Sequence, residues 1–249
     1  AVVALTHAFK QNLVARGINA EKIAVVINGV DLDRFSPAER DQKFVRDWDL
    51  ENAFVIGYVG THGMAHGLTN VLDAAERLRD APRIRFMLVG DGAERDRLIK
   101  AANERGLANV LFIPPQPKIS MPVVWSVCDV ALVHLRNLEV FTEVIPSKTF
   151  EAMAMGLPIV LALPEGEASR ILAADGAGVH VAAEDPVALA DAVRDLADNE
   201  DRCRALGQRA RAAAARHTRE RQAEEMLQTL QLAADGRGAH VGEDPTPNS

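Results

Sequence analysis

The sequence predicts an α/β fold built on a doubly wound parallel sheet, and three observations carry that prediction. Short β-branched runs alternate with longer segments of helical period, the runs are apolar at nearly every position, and glycine and proline fall at the joints between them. Strand and helix in alternation imply crossover connections, and a strand that is apolar on both faces has to be covered on both.

The elements follow in order. AVVAL at residues 1–5 reads as a strand leading to a helix at 8–16, and IAVVI at 23–27 as the next strand, closed by the turn NGVD at 28–31. The polar stretch 36–53, SPAERDQKFVRDWDLENA, reads as a helical connection into a fresh series, which places the main domain boundary near residue 31. FVIGYVG then leads to a helix at 67–79 and RIRFMLVG to one at 93–106. NVLFI, DVALVHL, PIVLAL and GVHVA each lie beside a further helix candidate. Gly106, Gly156 and Gly207 stand where helix C-caps belong, and Pro158 follows Gly156 as a stop signal. The last helical stretch, Asp201 to about Leu232, has a break at RHTRE where Thr218 caps a final helix. Residues 235–249, rich in Gly, Pro and charge without periodicity, read as a disordered tail.

Composition narrows the function. A net charge of −7 argues against sequence-independent nucleic-acid binding, so no nucleic-acid partner is expected. Cys128 and Cys203 are far apart and lack metal-like spacing, which makes a reducing cytoplasm the simplest location. No window reaches the roughly 18 consecutive apolar residues of a spanning helix, and the first residues lack the charged front of a signal peptide. The absence of an initiator Met before a strand-like run suggests a piece of a longer protein.

In parallel sheets ligands bind beyond the carboxyl ends of the strands, so the loops after each strand hold the candidates. GTHGMAHG, Gly60 to Gly67, offers three glycines ahead of a helix, a backbone that approaches anions closely, or else a glycine-rich turn with no ligand. It lacks the dinucleotide fingerprint and the Walker A lysine. In VGDGAERDRL, Asp91 most simply caps the helix starting near Ala93, and Gly92 keeps the loop tight. DLD at 31–33 looks like a metal motif, but it trails an Asn-Gly turn and fits turn chemistry better. EVIPSKTFEAMAMG at 143–156 is the most informative. Pro146 suits a helix's first turn, so Glu143 lies just before the helix and Glu151 inside it. Lys148 in that first turn opposes the helix dipole unless an anion is bound nearby; a solvated lysine is the alternative. Glu151, bracketed by Phe150, Ala152 and Met153, needs partners if buried, and two vicinal ribose hydroxyls match a carboxylate well.

Taken together, NGVDLDRFSP, the glycine loop, FMLVGDGAERDRL, LFIPPQPKISMPVVWSVCDVALVHL and EVIPSKTFEAMAMGLPIVLA resemble the group 1 (family 4) retaining glycosyltransferases of the GT-B fold, from residue 1 to about 232. Glu143 and Glu151 match that family's E-x7-E motif. The resemblance implies a Rossmann-like donor-binding domain at 32–217, a remnant of the acceptor domain and linker at 1–31, a crossover helix at 218–234, and an N-terminal GT-B domain that is mostly absent. It implies transfer of a sugar from a nucleoside diphosphate sugar, UDP-linked ahead of GDP-linked, to a lipid-linked or saccharide acceptor with retention, in cell-surface polysaccharide synthesis. No cofactor and no metal are expected, and the location would be the cytoplasm or the inner face of its membrane, touched through the N-terminal half.

By the same resemblance Glu151 holds the donor ribose and Glu143 lies by the transferred sugar. Val144, Ile145 and Ser147 contact sugar or phosphate, Ile113 and Pro114 border the base, and Gly60, Thr61, His62, Gly63, His66, Gly67, Gly90 and Asp91 complete the donor side. The family's usual Arg after the strand and Lys before the last glycine are here Thr61 and His66, and its commoner E-G-F-G-x-P is EVIPSK. These departures suggest a relocated charge, lost from the glycine loop and regained at Lys148, which joins Glu143 as a catalytic candidate. His62 and His66 either assist the phosphates or are solvated loop histidines. A donor-binding module inactive without the N-terminal half, and a non-hydrolysing nucleotide-sugar epimerase, are the alternatives.

Overall fold

The computed structural model describes residues 1–235, so the tail expected beyond them lies outside the described residues. A small parallel sheet opens the chain: β1 (Val2–Ala4) pairs with β2 (Ile23–Val25), and α1 (His7–Ala15) crosses between them. Thr6 caps α1 by accepting from the Phe9 N–H at 3.1 Å. After β2, Asp31 accepts from the N–H groups of Asp33 and Arg34 at 3.1 and 3.0 Å, so DLD is turn chemistry. The helical connection expected over 36–53 shrinks to α2 (Gln42–Asp47), because its apolar anchors Val45 and Leu50 are buried on either side of a left-handed Asp49 that ends the turn.

The main sheet has six parallel strands: β3 (Phe54–Val59), β4 (Ile84–Val89), β5 (Val110–Ile113), β6 (Val130–His134), β7 (Ile159–Ala162) and β8 (Gly178–Val181), in the order β5-β4-β3-β6-β7-β8. This is the doubly wound order of dinucleotide-type folds, and its direction reverses between β3 and β6. The register sets Val59, Val89 and Ile113 side by side, so β3, β4 and β5 end level and their following loops meet.

Alternation along each strand feeds two cores. Val55, Val59, Met87, Ala131 and Ile159 face Trp125 of α5 (Met121–Ser126), Phe150 of α6 (Lys148–Ala154), Leu172 of α7 (Glu167–Asp175) and Ala210 of α9 (Glu200–Ala214). Ile56, Tyr58, Phe86, Leu88 and Val160 face Leu72 of α3 (Thr69–Arg77), Leu98 of α4 (Arg95–Glu104) and Val193 of α8 (Pro186–Asp198). Both faces are covered, as near-continuous apolar strands require.

Gly106 and Gly156 adopt positive φ just past α4 and α6, as C-cap glycines do. Gly207 does not end a helix; it lies inside α9. A Cβ there would stand 2.4 Å from the Gly156 carbonyl oxygen, so it is glycine because two backbones touch. Thr218 caps α10 (Arg219–Ala234), accepting from the Arg221 N–H at 3.2 Å. Val30 bridges to Thr218, and Gln222 meets Gly29 and Asn28 at 3.3 and 3.1 Å, so α10 is seated against the exit of β2. Among the described residues no helix is long and apolar enough to cross a membrane.

Candidate functional site

Every candidate lies at the carboxyl end of the main sheet, around the β3/β6 reversal. The glycine loop after β3 is stitched to its neighbour by backbone: Gly60 N–H donates to the Val89 carbonyl at 2.9 Å, Gly90 N–H to Ile113 at 3.1 Å, and His62 N–H to Asp91 at 2.8 Å. Asp91 therefore does not cap α4. Its carboxylate accepts from the adjacent Gly92 N–H at 2.8 Å, and the helix begins only at Arg95, because the loop first needs Gly90 and Gly92 at positive φ to run along Gly60 and His62. The Thr61, Asp91, Pro114 and Ser147 residues are exposed, while the Ile113 side chain is wholly buried and can offer a ligand only its backbone.

Across the reversal, the segment after β6 brings in Lys148 and the two acids. α6 starts at Lys148 with Ser147 as its N-cap residue, so Pro146 stands one residue before the cap rather than inside the first turn; its carbonyl accepts from the Thr149 N–H at 3.0 Å. Lys148 reaches back over the glycine loop: a Cβ on Gly60 would lie 3.3 Å from Lys148 Cε. Burial, and then the Lys148 ammonium, hold the His66 imidazole below its ordinary range, although a backbone hydrogen bond involving His134 pulls the other way. The charge carried by α6 is thus felt at the loop that lacks the usual cations.

The two acids have separate partners. Glu151 accepts at Oε2 from the indole N–H of the fully buried Trp125 at 3.2 Å. Glu143 closes a short 3-10 turn at Glu139–Thr142, and its Oε1 accepts from Asn12 Nδ2 at 3.1 Å while its carbonyl accepts from the Thr6 hydroxyl at 2.8 Å. A cavity of about 550 Å³ lies between α1 and this turn, with Phe9, Arg16 and Glu143 in its lining. Val144 and Ile145 pack partly on the core beneath.

The histidines are structural in different ways. His62 is buried completely, not a solvated loop residue, between the rings of Tyr58 and Phe112, because its backbone is clamped to Asp91 and Glu94. Neither of its ring nitrogens has a partner among the described residues, and burial pushes its pKa to about 4. His134, at the end of β6, holds the glycine loop from below: Nδ1 is 2.6 Å from the His66 carbonyl oxygen and Nε2 is 2.9 Å from Asn70 Oδ1. Burial lowers His134 from 6.5 to about 4 and so disfavours a second proton on the ring. The unfolded chain takes up this proton as pH falls through 6.5, the folded chain only near 4. The stabilising contribution is therefore whole above 6.5 and is lost as pH falls toward 4, at about 1.4 kcal/mol per unit. Urea-unfolding midpoints are expected to drop between about pH 7 and about pH 5, and to drop less in His134→Gln; equal drops in both proteins would refute this assignment.

Trp125, Asn12, Thr6, His134 and Glu167 were not anticipated. A buried indole needs an acceptor, which was the available signal for Trp125. Asn12 and Thr6 meet Glu143 across more than a hundred residues, and no local pattern announces such a contact. Among the described residues no group of three or more His, Cys, Asp or Glu side chains converges as a metal site.

The glycine loop and the segment from Glu143 to Glu151 thus face each other across the reversal of a parallel doubly wound sheet. The profile of "Glycosyl transferases group 1" matches residues 40–213, and the chain belongs to that family. It is 34% identical over 158 residues to the putative colanic acid biosynthesis glycosyl transferase WcaI of Escherichia coli, covering 62% of this chain and 38% of that protein. It is 30% identical over 236 residues to the D-inositol 3-phosphate glycosyltransferase of Nocardia farcinica, covering 91% and 51%. The chain thus spans between about two fifths and about half of the length of these relatives. Among solved structures it matches Anabaena Alr3699/HepE in complex with UDP and glucose, with a TM-score of 0.81 at 22% identity over 92% of this chain and 62% of that one. These are likenesses in fold to a GT-B protein.

Proposed function

We propose that this chain binds a nucleoside diphosphate sugar, UDP-linked in preference to GDP-linked, and serves retaining transfer of the sugar to a lipid-linked or saccharide acceptor in cell-surface polysaccharide synthesis. The observation that carries the reading is Lys148 lying across Gly60, with Glu151 one turn further along the same helix. In this reading the ammonium offsets the charge that grows on the leaving diphosphate as the glycosidic bond breaks, Glu151 accepts from the ribose hydroxyls, and Glu143 accepts from a hydroxyl of the sugar. No metal is required, since the charge is met by Lys148. The preference for UDP draws on the neighbour solved with UDP, and the polysaccharide setting on the relative named for colanic acid synthesis. We place residues 1–31 and 218–234 as the parts that meet an acceptor-side domain, where Leu5, Ile18, Leu227 and Leu230 expose apolar side chains. The reaction would take place in the cytoplasm.

Titration calorimetry with UDP and GDP, run beside a transfer assay, tests the proposal. Binding of UDP tighter than GDP is expected. Binding without turnover identifies a donor-binding module that needs an acceptor half; no binding of either nucleotide at millimolar concentration overturns the reading.

A further inference from the structure

We infer that Asn12 is a positioning residue for the Glu143 carboxylate, and that Glu167 seats helix α1 so that Asn12 can reach it. The inference rests on the reading that Glu143 faces the transferred sugar. Glu143 sits where the chain has left one 3-10 turn and not yet entered α6, so no regular element holds it. The side chains that donate to it come from the start of the chain: the Thr6 hydroxyl to its carbonyl at 2.8 Å and the Asn12 amide to its Oε1 at 3.1 Å.

For Asn12 to act this way α1 has to be fixed, and Glu167 fixes it. Its carboxylate, on a residue only 6% exposed, accepts from the His7 and Ala8 N–H groups at 3.1 Å each, one per oxygen. These are first-turn amides of α1 with no partner inside the helix. Asn12 lies five residues beyond His7, roughly 7.5 Å further along the axis. The preceding residue closes the circuit: a Cβ on Gly166 would stand 2.1 Å from the Thr142 carbonyl oxygen, so the loop before α7 touches the strip that leads to Glu143. Three contacts, Thr142 with Gly166, Glu167 with α1, and Asn12 with Glu143, form a ring around the acid. An amide is suited to the last position because it orients one carboxylate oxygen without adding charge, leaving the other to accept from a sugar hydroxyl.

Two measurements on this chain test the inference. In nitrogen-15 spectra the Asn12 side-chain amide signals should shift in Glu143→Gln and stay in place in Glu151→Gln; no shift in Glu143→Gln overturns the contact. By calorimetry, the gain in affinity for UDP-glucose over UDP should fall at least about threefold in Asn12→Ala and further in Asn12→Asp, where two carboxylates face each other. Affinity for UDP itself should not change in either variant, which a general loss of structure would not reproduce. A gain left intact in Asn12→Asp overturns the positioning role while the nucleotide reading stands. A wild-type chain that binds UDP but gains nothing from glucose overturns the placing of Glu143 and this inference with it. A wild-type chain that binds neither overturns the proposed function as well.

Discussion

Lys148→Ala is expected to weaken UDP binding by about ten- to a hundredfold, the loss of one charge-assisted contact of roughly 1.5–3 kcal/mol. The direction follows from where the lysine lies. A Cβ on Gly60 would stand 3.3 Å from Lys148 Cε and 3.3 Å from the hydroxyl oxygen of Tyr58, which itself donates to the Thr61 carbonyl at 2.8 Å, so the lysine stem lies against this loop. Thr61 is neutral, and burial holds the His66 imidazole below its ordinary range. A purely solvated lysine would give an effect within about threefold, and that result would refute the proposed role. The affinity should also fall with rising salt in the wild type and much less so in the variant, because one counter-charge has been removed. A second substitution gives a sharper test. Thr61 is exposed and directly follows Gly60, so Thr61→Arg added to Lys148→Ala should recover part of the loss if the site needs a cation over the diphosphate and not this lysine in particular. In a protein competent for transfer, the rate should suffer more than the binding, since charge on the diphosphate is greatest as the bond breaks.

The sheet was legible because strands such as FVIGYV and FMLV carry no charged residue on either face, as strands of a doubly covered sheet do. The glycine loop stood out for three glycines ahead of a helix, and the Glu143 to Glu151 segment for a proline and charge next to a helix start. What escaped was decided by packing between segments distant in sequence. Asp91 looked like a helix cap because only Gly92 separates it from a helical pattern beginning near Ala93, yet the Gly92 N–H takes its carboxylate and the helix starts later, at Arg95. Gly207 looked like a terminator, but the reason for glycine there is the Gly156 carbonyl pressed against α9. His62 read equally well as a phosphate ligand or a solvated residue. Burial between two aromatic rings depends on how loops from β3, β4 and β5 stack, and the periodicity of one loop contains no record of its neighbours. The two acids illustrate the same division. Their spacing was visible in the sequence, whereas the donors that orient them, Asn12 and Trp125, come from other layers of the fold.

Gly90→Ala should be the most damaging small substitution near the site, destabilising by about 2–6 kcal/mol if the usual costs of backbone strain and of overpacking are combined. Two independent constraints converge on this residue. Its φ is +145°, outside the range that side-chain-bearing residues adopt readily, and a Cβ there would stand 1.9 Å from the Gly60 carbonyl oxygen. The obstacle is backbone, so no rotamer change relieves it. Neither partner can retreat, because Gly60 N–H is bonded to Val89 and Gly90 N–H to Ile113, one on each flank of the contact. Gly63→Ala is the control: its φ is −106° and the nearest atom to a new Cβ is the Thr61 methyl carbon at 3.4 Å, so its cost should stay within about 1 kcal/mol. Urea unfolding of both variants measures the difference, and an unchanged midpoint in Gly90→Ala would show that the two loops can part without penalty. UDP titration of whatever Gly90→Ala protein remains folded then separates stability from site geometry. If the loop carrying Gly60 is displaced to admit the new methyl, the surface under Lys148 moves with it, and affinity should fall even in the fraction that keeps its fold.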